Sequence, residues 1–127
     1  MFSGVRYSTF TNVKSKCYIG SKLESEFDDY GNEITVYDTP EKYFFNIQPV
    51  TGTSDIQEFG ENANKMKVAV ITDRNKYDGK FKEFDCAYLD GATPNGEEII
   101  GQNANYRVYA VQNQNVVIRV FFMKLTK

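Results

Sequence analysis

The side chains of this 127-residue chain that are able to do chemistry are few, and their spacing argues against catalysis. There is no histidine, so the commonest general base and metal ligand is missing. Serines and threonines are plentiful, but nucleophilic catalysis needs a base beside the hydroxyl, and no G-x-S-x-G elbow occurs. Paired carboxylates stand at Asp28-Asp29 and at Glu97-Glu98. Adjacent residues in extended chain point to opposite sides, so neither pair makes an acid/base dyad by itself. Cys17 and Cys86 are far apart, and with no C-x-x-C and no histidine a zinc site is not expected. Both are read as reduced, buried thiols of a cytosolic protein. The glycines match neither the P-loop nor the dinucleotide fingerprint. The sequence therefore predicts no enzyme, no cofactor and no metal.

What remains are elements suited to contact. Arg74, Lys76, Lys80 and Lys82 form the one notable basic cluster, interleaved with Asp73 and Asp78 and lying beside Tyr77 and Phe81. It reads either as a charged hairpin tip that blunts strand pairing or as a surface for a nucleic-acid backbone. The segment ESEFDDY, residues 24 to 30, carries Phe27 and Tyr30 among four carboxylates. Aromatics in a polar loop mark a partner contact unless they fold back onto the core. In YLDGATPNGEEIIGQNANYRVYAV, residues 88 to 111, two aliphatic-aromatic runs flank a long loop rich in Gly, Pro and Asn. That is more chain than a minimal connector needs. Within it Glu97, Glu98, Ile99 and Ile100 are candidate partner contacts, because two adjacent isoleucines in a polar loop require an apolar surface.

The elements that must hold these loops are strands. Period-2 alternation runs through EITVY (33 to 37), YFFNIQPV (43 to 50), KMKVAVIT (65 to 72), Phe81 to Leu89, Asn105 to Val111 and NVVIRVFFMKL (115 to 125). A weaker pattern places Val13, Cys17 and Ile19 on one face. The last strand is apolar on both faces, so it belongs in the centre of a sheet or under a cover. Phe45, Ile47, Val68, Val70, Phe84, Cys86, Val108, Ile118 and Val120 are the predicted core. Helix is confined to a turn or two: Ser54 to Phe59, with Ser54 as N-cap and Gly60 after the end, and Ser21 to Tyr30, which reads as a loop or a short helix. Asp78-Gly79 suggests a type I′ turn. The fold class is mostly β: one domain, residues 1–127, a small antiparallel β-barrel or sandwich with long loops and one or two short helical turns, with residues 1–20 a candidate arm. The net charge of −2 argues against a general nucleic-acid surface. No apolar run approaches the roughly 18 residues of a membrane span, and the N-terminus lacks an apolar signal core.

Three segments, FNIQPVTGTSDIQEFG, KYDGKFKEFDCAYLDG and TPNGEEIIGQNANYRVYAV, resemble the small head-closure (head-completion, or stopper) proteins of tailed bacteriophages, in the versions found in phages and prophages of Gram-positive bacteria. The likeness spans residues 30 to 125 and is one of pattern over length: a strand ending in Gln-Pro, an Asp-Ile-x-Glu-Phe-Gly turn, a strand entering Tyr-Leu-Asp-Gly, and Ala-Asn-Tyr-Arg-Val before an apolar last strand. It implies a virion protein of the neck, assembled in the host cytoplasm. The subunit would form a cyclic ring of roughly six or twelve copies, set between the portal or adaptor complex and the tail terminator or tail. One loop would reach into the channel and retain the DNA end, with no membrane involved. Asp73 to Lys80, with Asp73, Arg74, Lys76, Asp78 and Lys80, is the expected channel loop, and Ser21 to Asn32 is the runner-up. The alternatives are another neck or tail component, such as a tail terminator, and a stand-alone ligand-binding β-barrel.

Overall fold

Six strands close into an antiparallel barrel in the computed structural model, which describes residues 14–125. They are β1 (Ser15–Gly20), β4 (Glu41–Pro49), β5 (Met66–Ile71), β6 (Cys86–Tyr88), β7 (Tyr106–Asn113) and β8 (Ile118–Lys124), hydrogen-bonded around the barrel in the order β1-β4-β5-β8-β7-β6. A separate two-stranded hairpin, β2 (Glu26–Phe27) and β3 (Glu33–Ile34), lies between β1 and β4. Val13 and residues 1 to 12 of the candidate arm lie outside the described residues. Residues 15 to 20 are no arm but a barrel strand paired on both sides, with β4 and with β6.

Alternation fills the barrel. Cys17, Ile19, Phe45, Ala69, Ile71, Ala87, Leu89, Tyr106, Val108, Ile118, Val120 and Phe122 point inward and are buried together. One register shift in the β7–β8 pairing, between Val108 and Ala110, changes the parity of β7, so Val111 rather than Ala110 packs against this core. The helical turn Arg74–Tyr77 closes one end. Its Tyr77 ring stands edge-on to Phe45, 5.2 Å between centroids, and beside Phe81 and Tyr43.

The outer faces are covered where they are apolar. The helix Thr53–Phe59 and the 3-10 helix Gly60–Lys65 connect β4 to β5 and lie over Val68, Met66 and Phe121. This is why β8 tolerates apolar residues on both faces: Ile118, Val120 and Phe122 fill the barrel, and Phe121 is sealed beneath the helical cover. Asp55, on the helix, grips Arg119 of β8 through both carboxylate oxygens. On the opposite side, Cys86, Tyr88 and Ala104 are buried with Tyr18, Tyr37 and Ala92 under the loops after β1 and β6.

Several expectations need correction. The Ser21 to Tyr30 segment is not helical. Asp28 accepts hydrogen bonds from the Tyr30 and Asn32 backbone N–H groups, both at 2.9 Å, and this Asx-type turn bends the chain into a hairpin. EITVY pairs only at Glu33–Ile34, with one isolated bridge further on, Lys22 to Tyr37. The helix after β4 starts at Thr53 with Gly52, not Ser54, at its N-cap, though Gly60 does end it with a positive φ of 60°. Asp78-Gly79 makes a type II turn, with Asp78 at φ −61°, ψ 124° and Gly79 at φ 73°. The β7–β8 turn is closed by Gln114 N–H to Val117 O, so the last strand starts later than residue 115, at Ile118. Of the predicted core, Ile47 and Val70 are only partly buried, and Phe84 is exposed. The strand holding Phe84 does not begin until Cys86. Phe84 sits before it in a tight turn closed by Asp85 N–H to Lys82 O, at φ 74°, on the outer side of the wall like Cys86 and Tyr88 but left exposed where they are covered.

Candidate functional site

Three groups of expected contact residues have distinct fates. The basic cluster is not a free tip. Tyr77 anchors it in the barrel mouth, Lys80 pairs with Glu41 at 3.2 Å, and Lys76 lies over the Tyr77 ring. Arg74 is half-buried, and its Nε has no hydrogen-bond partner among the described residues. Glu41 also accepts a 2.6 Å hydrogen bond from the Tyr43 hydroxyl, and the Tyr43 and Lys80 contacts together hold its carboxyl below the usual range. Asp73 and Asp78 are exposed at the two ends of this plug.

The acidic segment, by contrast, projects. Leu23 N–H bonds Val36 O and Asp38 N–H bonds Ser21 O, so the arms zip from the base of the hairpin outward. Its tip is built by Asp28, whose pKa is lowered chiefly by the hydrogen bond from the Asn32 backbone N–H, with the Asn32 side chain and the Tyr30 N–H adding to it against desolvation. Phe27 and Tyr30 do not fold back: they are 68% and 91% exposed. The base is tied to the barrel by Asp85, which is fully buried. One carboxylate oxygen accepts Lys22 N–H and the other Lys82 N–H, each at 2.9 Å. The sequence reading missed Asp85, because a lone acid in a polar turn looks like any solvated charge.

The loop between β6 and β7 is wound around Glu97. This carboxylate accepts the Tyr88 hydroxyl at 2.7 Å and the backbone N–H groups of Gly101 and Asn103 at 3.2 Å. Glu97 is thus an internal brace of the loop. Gly101, at φ 89°, lies so close to the Tyr37 ring that a Cβ would meet it at 2.5 Å. Gln102 Oε1 accepts both Glu98 and Ile99 N–H. At the loop's neck, Asn105 makes a two-way pair with the Leu89 backbone. The outcome is a rigid loop whose apex presents Glu98, Ile99 and Ile100 to solvent, Ile99 being 65% exposed.

Asp90, at the start of this loop, bonds Lys67 and accepts the Tyr106 hydroxyl at 2.9 Å. Burial acts to raise its pKa, but these hydrogen bonds and the charges of Lys67 and Lys124 prevail and lower it below 3.8. A depressed carboxyl stabilises the fold above its unfolded pKa, and that contribution is lost as pH falls through the folded value. The thermal midpoint of the wild type should therefore exceed that of Asp90→Asn by a constant margin above about pH 5. The margin should close below pH 3.8. A margin independent of pH would remove Asp90 from the balance.

The two thiols lie on opposite faces of the barrel wall, Cys17 in the interior and Cys86 outside, and both are free. Burial pushes Cys17 up to about 12 and Cys86 up to about 11. Neither is a nucleophile at neutral pH. Among the described residues no group of three or more His, Cys, Asp or Glu is placed to hold a metal ion, and no helix is long and apolar enough to cross a membrane. No protein-family model, no curated protein and no solved structure matches the chain.

Proposed function

We propose that this chain is a non-catalytic virion protein, the ring-forming head-closure subunit of a tailed phage, which seals the DNA channel after packaging and carries the tail-attachment platform. The observation that supports this reading best is the hairpin of residues 22 to 37: an acidic, aromatic-tipped arm that stands off a closed barrel and is braced at its base by the buried Asp85. A closed barrel has no free strand edge, so its association must run through loops and covered faces. An arm held at its base and free at its tip suits an element that meets other subunits on the axis of a ring. Its four carboxylates between Glu24 and Asp29 keep it from gripping DNA phosphates, so a passing duplex slides. The portal or adaptor on one side, the tail terminator or tail on the other, and the DNA end within are the partners of this reading, and it needs no cofactor. The anchored plug Asp73 to Lys80 suits this role less well, because moving it would open the barrel mouth. A tail terminator is also less well supported, since that role usually combines a sheet with flanking helices and the described residues form only short helical segments.

The test is DNA retention. Heads packaged with the wild-type chain should protect their genome from added nuclease. Heads packaged with a chain in which residues 24 to 33 are replaced by a short Gly-Asn turn should incorporate the subunit yet lose DNA. Neutralising Arg74, Lys76 and Lys80 together should leave retention unchanged. Leakage from the triple variant and retention by the shortened hairpin would return the channel role to the basic loop. A chain never incorporated into heads would end the reading.

A further inference from the structure

On the outer face of β7 and β8, Phe84, Tyr109, Met123 and Leu125 surround an apolar hollow of about 210 Å³, with Arg107 on its rim. Tyr109 leans edge-on against Phe59 of the helical cover, 5.8 Å between centroids, so one wall is fixed. The opposite wall is Phe84, 55% exposed and held outward by a backbone at φ 74°. A bulky residue in that conformation is strained, and glycine is the usual occupant. Strain of this kind persists where the surrounding structure over-determines it, and it is enriched at functional contacts. Arg107 is exposed and in no ion pair among the described residues.

We propose that the occupant of this hollow is the apex of the β6–β7 loop of a second copy of this chain, Ile99 and Ile100 entering the hollow and Glu98 meeting Arg107. Three features support the match. The apex is apolar with one acid beside it, and the hollow is apolar with one base beside it. Glu98, like Arg107, is exposed and in no ion pair among the described residues. A void of about 150 Å³ accepts a benzene ring, so the hollow has room for a branched aliphatic side chain. Finally, the loop is already ordered by Glu97, Gln102 and Asn105, so docking it costs little conformational entropy. The loop belongs to the β1–β6 side and the hollow to the β7–β8 side. The two patches differ, so the contact is head-to-tail and continues from copy to copy until a ring closes. It deepens the ring reading above and rests on it for closure, but the pairwise contact stands without it.

The experiment uses the purified full chain. Sedimentation over a concentration series should show self-association that weakens about tenfold or more when Ile99 and Ile100 are both changed to Ser. Phe84→Gly should weaken it as well, and because glycine suits that backbone its thermal midpoint should be no lower than wild type. Glu98→Arg and Arg107→Glu should each weaken association, and the two changes in one chain should restore it. A mixture of the Ile99/Ile100 double variant with Arg107→Glu should stop at dimers, since only one good contact is left. For a weak contact, a chain carrying Ile99→Cys and Tyr109→Cys should give a ladder of multimers under an added disulfide-forming oxidant, while each single variant gives at most a dimer. Unchanged association of the isoleucine variant, or no ladder from the double-cysteine chain at the highest concentration reached, would overturn the proposal. Self-association through this contact by a chain that never joins phage heads would leave the contact standing and remove the head-closure function. Retention of DNA in heads built from the isoleucine variant would do the reverse.

Discussion

Phe122→Ala should destabilise the barrel by about 3–5 kcal/mol, and Ile118→Ala by about 2–4 kcal/mol. Both side chains come from β8 and are buried in the barrel interior, Phe122 completely. The strand pairs with β5 on one side and β7 on the other, and its outer face lies under the helical cover. A closed wall has little freedom to collapse into a void, so the cavity term adds to the lost transfer energy. Against a typical total of about 5–15 kcal/mol, the phenylalanine change alone removes a large share of the stability. Urea titration is the measurement: the midpoint should fall with little change in slope. Should Phe122→Ala prove too unstable to purify, Ile118→Val should still cost about 0.5–1.5 kcal/mol. Val116→Ala, at a 76% exposed position in the β7–β8 turn, should stay within about 0.5 kcal/mol of wild type. Equal midpoints for the Ile118 and Val116 variants would mean that the barrel is not packed as described.

That β8 would be central was legible, because a strand apolar on both faces needs neighbours on both. The short helix ending at Gly60 was legible too, but not that it is the cover over this strand. What alternation alone does not show is where a strand stops. Phe84, Cys86 and Tyr88 share a parity, and the pattern places all three on one side. All three do lie on the outer side of the wall, but the loops after β1 and β6 bury only Cys86 and Tyr88; Phe84, in a turn of positive φ before the strand begins, is left exposed. The acidic segment misleads in the opposite way. Leu23, Glu24 and Glu26 suit a helix, but Asp28 with Gly31-Asn32 behind it offers the backbone a local turn, and side chain-to-backbone bonds of this kind compete with helix.

The contact residues divide along the same line. Ile99 and Ile100 were singled out because apolar side chains in a polar loop are anomalous whatever the fold, and both are exposed. Glu97 and Glu98 look alike in sequence yet do different things: one is turned inward by three hydrogen bonds and the other is left in water. The distinction depends on Tyr88 and Gly101 being brought to the same place, and no local pattern carries that. Asp85 was invisible for the same reason, since one of its two backbone partners lies 63 residues away.

Asp55 and Arg119 are separated by 64 residues, and their pairing was equally hidden. The pair should nevertheless be among the costliest polar contacts to break. Arg119 meets Asp55 in a two-point contact and lies over the Phe121 ring, 4.9 Å from its centroid. The two side chains are only 22% and 10% exposed. Removing one partner strands the other charge in a place where water solvates it poorly, which costs about 3–5 kcal/mol for a fully buried pair. Residual solvent at the arginine reduces this to about 2–3 kcal/mol for Asp55→Ala or Arg119→Met. Replacing both by Leu and Met together should recover much of the loss, because two apolar side chains of similar volume leave no charge uncompensated. A double-mutant cycle in urea measures that coupling, and hydrogen exchange should show the loss first in the helix Thr53–Phe59. Single variants within about 0.5 kcal/mol of wild type would class the pair with ordinary surface ion pairs. The helical cover would then be held by its packing on Val68, Met66 and Phe121, the Phe59–Tyr109 ring contact and the Gln112 to Glu58 hydrogen bonds.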